Sequence, residues 1–108
     1  VGLAEPLRVA LAPLASDIVA AFVYGSVAKR TDTASSDIDL MVVSDTLGFA
    51  DVVVALQPAQ EKLGREINPT LYSRAELRTR MKDRNGFVLR VLAQPKIWLI
   101  GGEHDLGA

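Results

Sequence analysis

The chain has 108 residues, which is enough for one small domain and leaves no room for two. Its net charge of −1 excludes a broad cationic surface for duplex nucleic acid, and its 49% of apolar residues allow a real core. The absence of cysteine excludes disulfides and thiolate metal sites.

No apolar run approaches the length of a membrane-spanning helix, and charged residues interrupt the N-terminal stretch where a signal peptide would lie. A chain without a disulfide framework is consistent with the cytosol. We therefore expect a cytoplasmic protein that does not associate with a membrane.

In the first half of the chain, the pattern predicts two helices and two strands. Leucines at helical spacing predict a helix over residues 5–14, and the unbroken apolar run at 18–24 predicts a strand covered on both faces. A short helix is predicted over 26–30, followed by a polar turn at 31–36. The apolar run Ile38–Val43 predicts the second strand.

The second half begins with an ambiguous segment. Residues 49–64 contain three consecutive valines that fit a strand, but their apolar spacing favours a helix that Pro58 bends or divides. Residues 66–72 predict a third strand, which Pro69 places at a sheet edge. The remaining elements are a helix over 73–84 that begins with a capping box, a helix capped by Asn85, and a fourth strand over 97–100.

Together these elements predict an α/β (α+β) fold, a small mixed sheet of about four strands flanked by helices. Residues 1–108 are expected to form a single domain. The chain starts with Val1 and not with Met, which fits a processed form, an excised segment or one domain of a longer protein.

A glycine and a serine stand between the first strand and the short helix. Gly25 lets the backbone approach a ligand closely, because no side chain intervenes. The amides that follow are the unpaired donors of a helix N-terminus, where an anionic phosphate can bind. Ser26 adds a hydroxyl, and Lys29 lies one turn later, so this segment is a candidate phosphate site.

Two acidic residues stand at the start of the second predicted strand. Asp37 and Asp39 are separated by one residue, so both carboxylates are expected on the same face of the sheet. Two carboxylates on one face repel each other unless a cation lies between them. Mg²⁺ prefers oxygen ligands and commonly binds one or two carboxylates together with substrate phosphates. The pair therefore predicts a magnesium site.

The stretch from Gly25-Ser26 to Ser36-Asp37-Ile38-Asp39-Leu40 resembles the signature of DNA polymerase β-type nucleotidyltransferases, in particular their minimal group. The resemblance implies transfer of a nucleotidyl group from a nucleoside triphosphate, with ATP expected, to an acceptor hydroxyl with two Mg²⁺ ions. It also implies a role for each residue of the pattern. Gly25 and Ser26 would hold the β and γ phosphates, Lys29 and Arg30 would complete the nucleotide site, and Asp37 and Asp39 would bind the metal.

The chain departs from the family pattern at two positions. Arg30 stands where family members commonly carry a glycine. Asn68 stands at the third catalytic position, where a carboxylate is expected, and an amide is a weaker metal ligand that cannot act as a base. Glu66 lies two residues earlier on the same face and is the alternative for this role.

The sequence of residues 63–73 is similar to that of nucleotidyltransferase domains that are fused to a DNA-binding winged helix in prokaryotic regulators. The resemblance therefore implies a fused winged-helix domain or a toxin as partner, and homodimerisation remains an open alternative. Asn68 favours a second function, a catalytically silent nucleotide-sensing or protein-binding module of a transcriptional regulator or toxin–antitoxin system.

Overall fold

A four-stranded mixed sheet forms the centre of residues 2–107, which are the residues that the computed structural model describes. This confirms the expected mixed fold of helices around a small sheet. The strands are β1 (Ala20–Tyr24), β2 (Ile38–Val43), β3 (Ile67–Tyr72) and β4 (Ile97–Ile100). The helices are α1 (Ala4–Leu11), α2 (Ser26–Lys29), α3 (Phe49–Leu63), α4 (Arg74–Lys82) and α5 (Gly86–Ala93), with short 3-10 helices over Ala12–Asp17 and Glu103–Leu106.

The order of the strands across the sheet is β3-β2-β1-β4. β1 pairs antiparallel with β2 and β4, whereas β2 and β3 run parallel. This register places Asp39 between Tyr24 on β1 and Asn68 on β3. β3 is an edge strand, as Pro69 predicted, because a residue without an N–H weakens pairing on one side.

Side chains of β2 alternate between two apolar clusters, one on each face of the sheet. Leu40 and Val42 lie in the cluster that α1 and α3 cover. Met41 and Val43 lie in the cluster that α4 and α5 cover. Because strand side chains alternate with a period of two, Asp39 faces the same side as Met41. The polar site therefore lies on the α4–α5 side, at the end of a buried strand.

The first helix and the first strand are shorter than expected. α1 ends before Pro13, which lacks the N–H that an α-helix needs, and the chain continues as a 3-10 helix. The Ile18 amide still bonds to the Ala15 carbonyl of that 3-10 helix at 3.1 Å, so β1 begins only at Ala20.

Residues 49–63 form one continuous helix, which resolves the ambiguous valine-rich segment in favour of the preferred interpretation. Pro58 lies inside α3 as an exposed residue and does not divide it. Gly64 ends the helix in the left-handed conformation, with φ 64°, as a glycine C-cap does. Within the described range, no helix is both long and apolar enough to cross a membrane.

Ser73 and Glu76 form the predicted capping box at the start of α4. The Ser73 hydroxyl accepts a hydrogen bond from the Glu76 amide at 3.0 Å, and the Glu76 carboxylate accepts one from the Ser73 amide at 2.8 Å. We expect Ser73→Ala to lower the free energy of unfolding by about 1 kcal/mol, because one amide of the first turn loses its partner. Urea denaturation followed by circular dichroism measures the change.

Ser16→Ala is the matched control, since Ser16 is exposed and its hydroxyl makes no hydrogen bond within residues 2–107. An equal loss of stability in both variants would show that the capping box contributes nothing measurable.

Candidate functional site

Gly25 joins β1 to α2 in a conformation that favours glycine. Its backbone angles are φ 76° and ψ −152°, which residues with a side chain rarely adopt. A Cβ atom added at this position would overlap the carboxylate of Asp39. Both the backbone conformation and the close contact therefore exclude a side chain here, whereas the approach of a ligand to this backbone stays a prediction.

The Gly25 amide is not free to bind a phosphate. It donates a hydrogen bond to the side-chain oxygen Oε1 of Gln94 at 3.1 Å. Gln94 is the C-cap of α5 and precedes β4, 69 residues away in the chain. No spacing in the sequence predicted this contact. Of the two residues expected to grip phosphate, Gly25 lies against the Asp39 carboxylate, and Ser26 begins α2 with a hydroxyl and an amide.

Asp37 and Asp39 lie close together on the same side of the sheet, as their spacing predicted. Asp37 is exposed and immediately precedes β2, whereas Asp39 is partly buried within the strand. Burial raises the pKa of Asp39 above its ordinary value, and the negative charge of Asp37 adds to this rise. A cation between the two carboxylates would relieve both effects.

Asn68 completes this group from β3. It is the register partner of Asp39, and its Nδ2 donates a hydrogen bond to Oδ2 of Asp37 at 3.1 Å. Glu66 lies before the start of β3 and is exposed, and its carbonyl accepts a hydrogen bond from the Ile38 amide at 2.8 Å. The third position of the site is thus an amide whose N–H group faces a carboxylate.

Two carboxylates and one amide fit one Mg²⁺ ion, because oxygen ligands suit this ion and substrate phosphates complete its shell. A cluster of three acidic or histidine side chains suited to a metal is absent from the described residues. Glu66 is therefore not grouped with Asp37 and Asp39 in the described residues, and the binding of two Mg²⁺ ions stays a prediction.

Lys29 and Arg30 lie at the C-terminal end of α2, and both side chains are exposed. Arg30 caps this helix in the left-handed conformation, with φ 63° and ψ 32°. This conformation explains why a glycine suits the position. Neither side chain bonds to Asp37 or Asp39 in the described structure, so their role in nucleotide binding stays a prediction.

Arg65 holds the loop that leads into Asp37. Its Nε donates to the Ser36 carbonyl at 2.7 Å, and its Nη2 lies 3.0 Å from Oδ2 of Asp32. Only 9% of the Arg65 side chain is exposed, so water competes little for these bonds. Arg65 thereby fixes the backbone on one side of Asp37, a function that its place after a helix did not predict.

Residues 10–85 match the model of the protein family described as Polymerase beta, Nucleotidyltransferase. No curated protein matches the chain significantly. A chain in a solved structure described as "Crystal structure of the toxin-antitoxin with AMP-PNP" is similar, with a TM-score of 0.60 and 17% sequence identity. The match covers 94% of this chain and 77% of that chain. At this identity, the likeness supports the fold alone.

The raised pKa of Asp39 predicts a stability effect of known sign. The folded state binds the Asp39 proton more tightly than the unfolded state, so ionised Asp39 destabilises the fold at pH 7. This penalty disappears as the pH falls through the pKa of folded Asp39. We expect Asp39→Asn to raise the free energy of unfolding at pH 7 in EDTA, with a difference that shrinks at acidic pH. Urea titrations at several pH values measure it.

Asp83→Asn is the control, because Asp83 is exposed and its carboxylate makes no hydrogen bond or ion pair within residues 2–107. If Asp39→Asn destabilised the protein at pH 7, the ionised carboxylate would be held by favourable contacts instead.

Proposed function

Since the chain belongs to the Polymerase beta, Nucleotidyltransferase family, we propose that it transfers a nucleotidyl group from a nucleoside triphosphate to an acceptor hydroxyl. ATP is the proposed nucleotide and Mg²⁺ the proposed cofactor. The contact between the Gly25 backbone and the Asp39 carboxylate carries this proposal. In this proposal, the contact brings the triphosphate-binding segment and a metal ligand together. Transfer of a nucleotidyl group to a hydroxyl requires both at one place.

In the proposed complex, Ser26 donates its hydroxyl and amide to the β and γ phosphates, and Gly25, which has no side chain, lets Ser26 follow directly beside Asp39. Lys29 and Arg30 add positive charge beside the phosphate tail. Asp37 and Asp39 hold Mg²⁺, which neutralises charge on the phosphate oxygens when it is bound. The protein then contributes mainly position, because this type of transfer depends little on covalent chemistry by side chains.

Positioning is built into the site before any ligand binds. Arg65 holds the carbonyl of Ser36, directly before Asp37, and the Glu66 carbonyl holds the amide of Ile38, directly after it. The backbone on both sides of Asp37 is therefore tied to the segment before β3. Preorganised ligands of this kind need no rearrangement when substrate and cation arrive.

A second function is favoured by one observation, the hydrogen bond from Asn68 to Asp37. An amide cannot accept a proton from the attacking hydroxyl, so the site would bind nucleotide without transferring it. The protein would then act as a nucleotide-sensing module that regulates a partner. The similar structure is described as a toxin–antitoxin with AMP-PNP, which agrees with a nucleotide ligand and a protein partner here. A winged-helix domain, a homodimer and a cytoplasmic location remain predictions.

The first test is nucleotide binding by calorimetry. We expect AMP-PNP to bind only with Mg²⁺, because the carboxylate pair repels the phosphates when no cation is present. Asp39→Ala should weaken binding on the order of 100-fold, since a metal ligand contributes several kcal/mol. Asp83→Ala, on the exposed end of α4, should bind like the unmodified protein. If the unmodified protein failed to bind nucleotide under any condition, neither function would stand.

The second test separates the two functions through Asn68→Asp, measured as release of pyrophosphate from ATP while the nucleotidyl group passes to water or to an added hydroxyl acceptor. A carboxylate at this position adds a base and a metal ligand, for which we expect an increase of about 100- to 10,000-fold in rate. A transferase releases pyrophosphate before this substitution, whereas a sensing module releases it only afterwards. The number of bound Mn²⁺ ions, counted by electron paramagnetic resonance, should rise from one to two.

Glu66→Gln serves as the control, because Glu66 is exposed outside the carboxylate group. A loss of binding or turnover in this variant would return Glu66 to the third position. An unchanged Mn²⁺ count in Asn68→Asp would show that residue 68 does not reach the metal.

A further inference from the structure

The side chain of Gln94 lies at the glycine that joins the two halves of the proposed site. Its Oε1 accepts the Gly25 amide hydrogen at 3.1 Å. An amide N–H can only donate, so this contact determines which end of the Gln94 side chain faces Gly25. The NH₂ group of Gln94 therefore lies beside the turn between Gly25 and Ser26, with its orientation fixed.

This NH₂ group is available to a ligand. It makes no hydrogen bond within residues 2–107, and Gln94 is only partly buried. The described structure also contains no fully buried side-chain polar atom without a partner, so the NH₂ group is accessible to solvent. Two N–H donors are thus exposed next to the turn that begins α2.

The backbone of Gln94 is held in place by a buried lysine. Lys96 donates its ammonium to the carbonyl of Gln94 at 3.1 Å and to that of Leu92 at 2.7 Å. Only 7% of the Lys96 side chain is exposed, and its Nζ lies 5.7 Å from the centre of the Phe22 ring. Because Lys96 is almost buried and binds carbonyls at the end of α5, it fixes the Gln94 segment against the core.

We propose that the side-chain NH₂ of Gln94 binds a phosphate oxygen of the nucleotide, which makes Gln94 a part of the triphosphate site. The proposal rests on the proposed function, because it requires a nucleotide in this site. The Asp39 carboxylate lies next to the Cβ position of Gly25, and the Gly25 amide bonds to Gln94. A phosphate held by Ser26 next to Asp39 would therefore lie near the Gln94 amide.

In this arrangement, the oxygen and the nitrogen of the Gln94 side chain have different partners. The oxygen of Gln94 occupies the Gly25 N–H, and its nitrogen replaces that N–H as a donor to phosphate. A neutral amide donor suits a site whose carboxylates already need a cation, because it adds a hydrogen bond without competing for the metal. The sequence could not predict this role, since Gln94 lies 69 residues from Gly25.

Gln94→Glu tests the proposal because it retains an oxygen for the Gly25 amide and removes only the donor. A carboxylate next to the phosphates also repels them. We expect the affinity for Mg²⁺·AMP-PNP to fall about 10- to 100-fold, as the loss of a hydrogen bond to a charged group predicts. The melting temperature should stay near that of the unmodified protein, whereas Gln94→Met, which loses both contacts, should lower it.

Gln57→Glu is the matched control. It introduces the same change of charge at an exposed position of α3, on the opposite face of the sheet from Asp39. We expect this variant to bind Mg²⁺·AMP-PNP with unchanged affinity. A comparable loss in both variants would assign the effect to net charge and overturn the proposal.

A second measurement avoids substitution. In ¹⁵N-labelled protein, the side-chain NH₂ signal of Gln94 should shift when Mg²⁺·AMP-PNP is added and stay in place with adenosine, which has no phosphate. If AMP-PNP binds while this signal stays in place, or Gln94→Glu binds it normally, Gln94 has no contact with phosphate although the proposed function survives. If the unmodified protein binds no nucleotide, the proposed function itself fails and the proposal fails with it.

Discussion

The contact between the Gly25 backbone and the carboxylate of Asp39 is the constraint on which the rest of the site depends. It arises because β1 and β2 are antiparallel neighbours, with Tyr24 opposite Asp39. The first residue after β1 must therefore turn directly over the Asp39 side chain, where a Cβ atom would overlap the carboxylate. Only glycine meets this condition in the observed backbone conformation. The sheet register thus places Gly25 and Ser26, the proposed phosphate site, beside Asp37 and Asp39, the proposed metal ligands.

This arrangement has an energetic cost that the rest of the fold must offset. Asp39 is partly buried beside a second negative charge, and both effects raise its pKa. Burial also raises the pKa of Tyr24, and the charge of Asp39 adds to this rise. Strands β1 and β2 form the centre of the sheet and are almost completely buried. Their apolar packing can therefore offset the unfavourable burial of Asp39 and Tyr24 at the end of these strands. Perturbed ionisable groups of this kind concentrate at functional sites.

The sequence was sufficient wherever the determining interactions are local. Gly25-Ser26 and Asp37 to Asp39 lie at the ends of two short apolar runs, and strand alternation alone puts both carboxylates on one side. The same spacing made Glu66 an alternative to Asn68, but Glu66 does not form a group with Asp37 and Asp39 in the described structure.

Contacts that depend on the tertiary arrangement could not be predicted. Arg65 reaches Ser36 because α3 returns to the start of β2, and Gln94 reaches Gly25 because α5 ends beside β1. Neither pair shares a spacing or a pattern in the chain. The missing third carboxylate was visible in the sequence, whereas the bond that its replacement makes to Asp37 required coordinates.

Asn68 gives the ligand-free site a stability that a carboxylate at the same position would remove. A third acidic group beside Asp37 and Asp39 would add a like charge to a pair that already repels, and only bound cations could offset it. The amide instead donates to Asp37 and lowers the cost of that charge when no cation is bound. The two carboxylates can therefore stay close together before nucleotide and Mg²⁺ bind, which agrees with the fixed backbone that Arg65 provides next to Asp37.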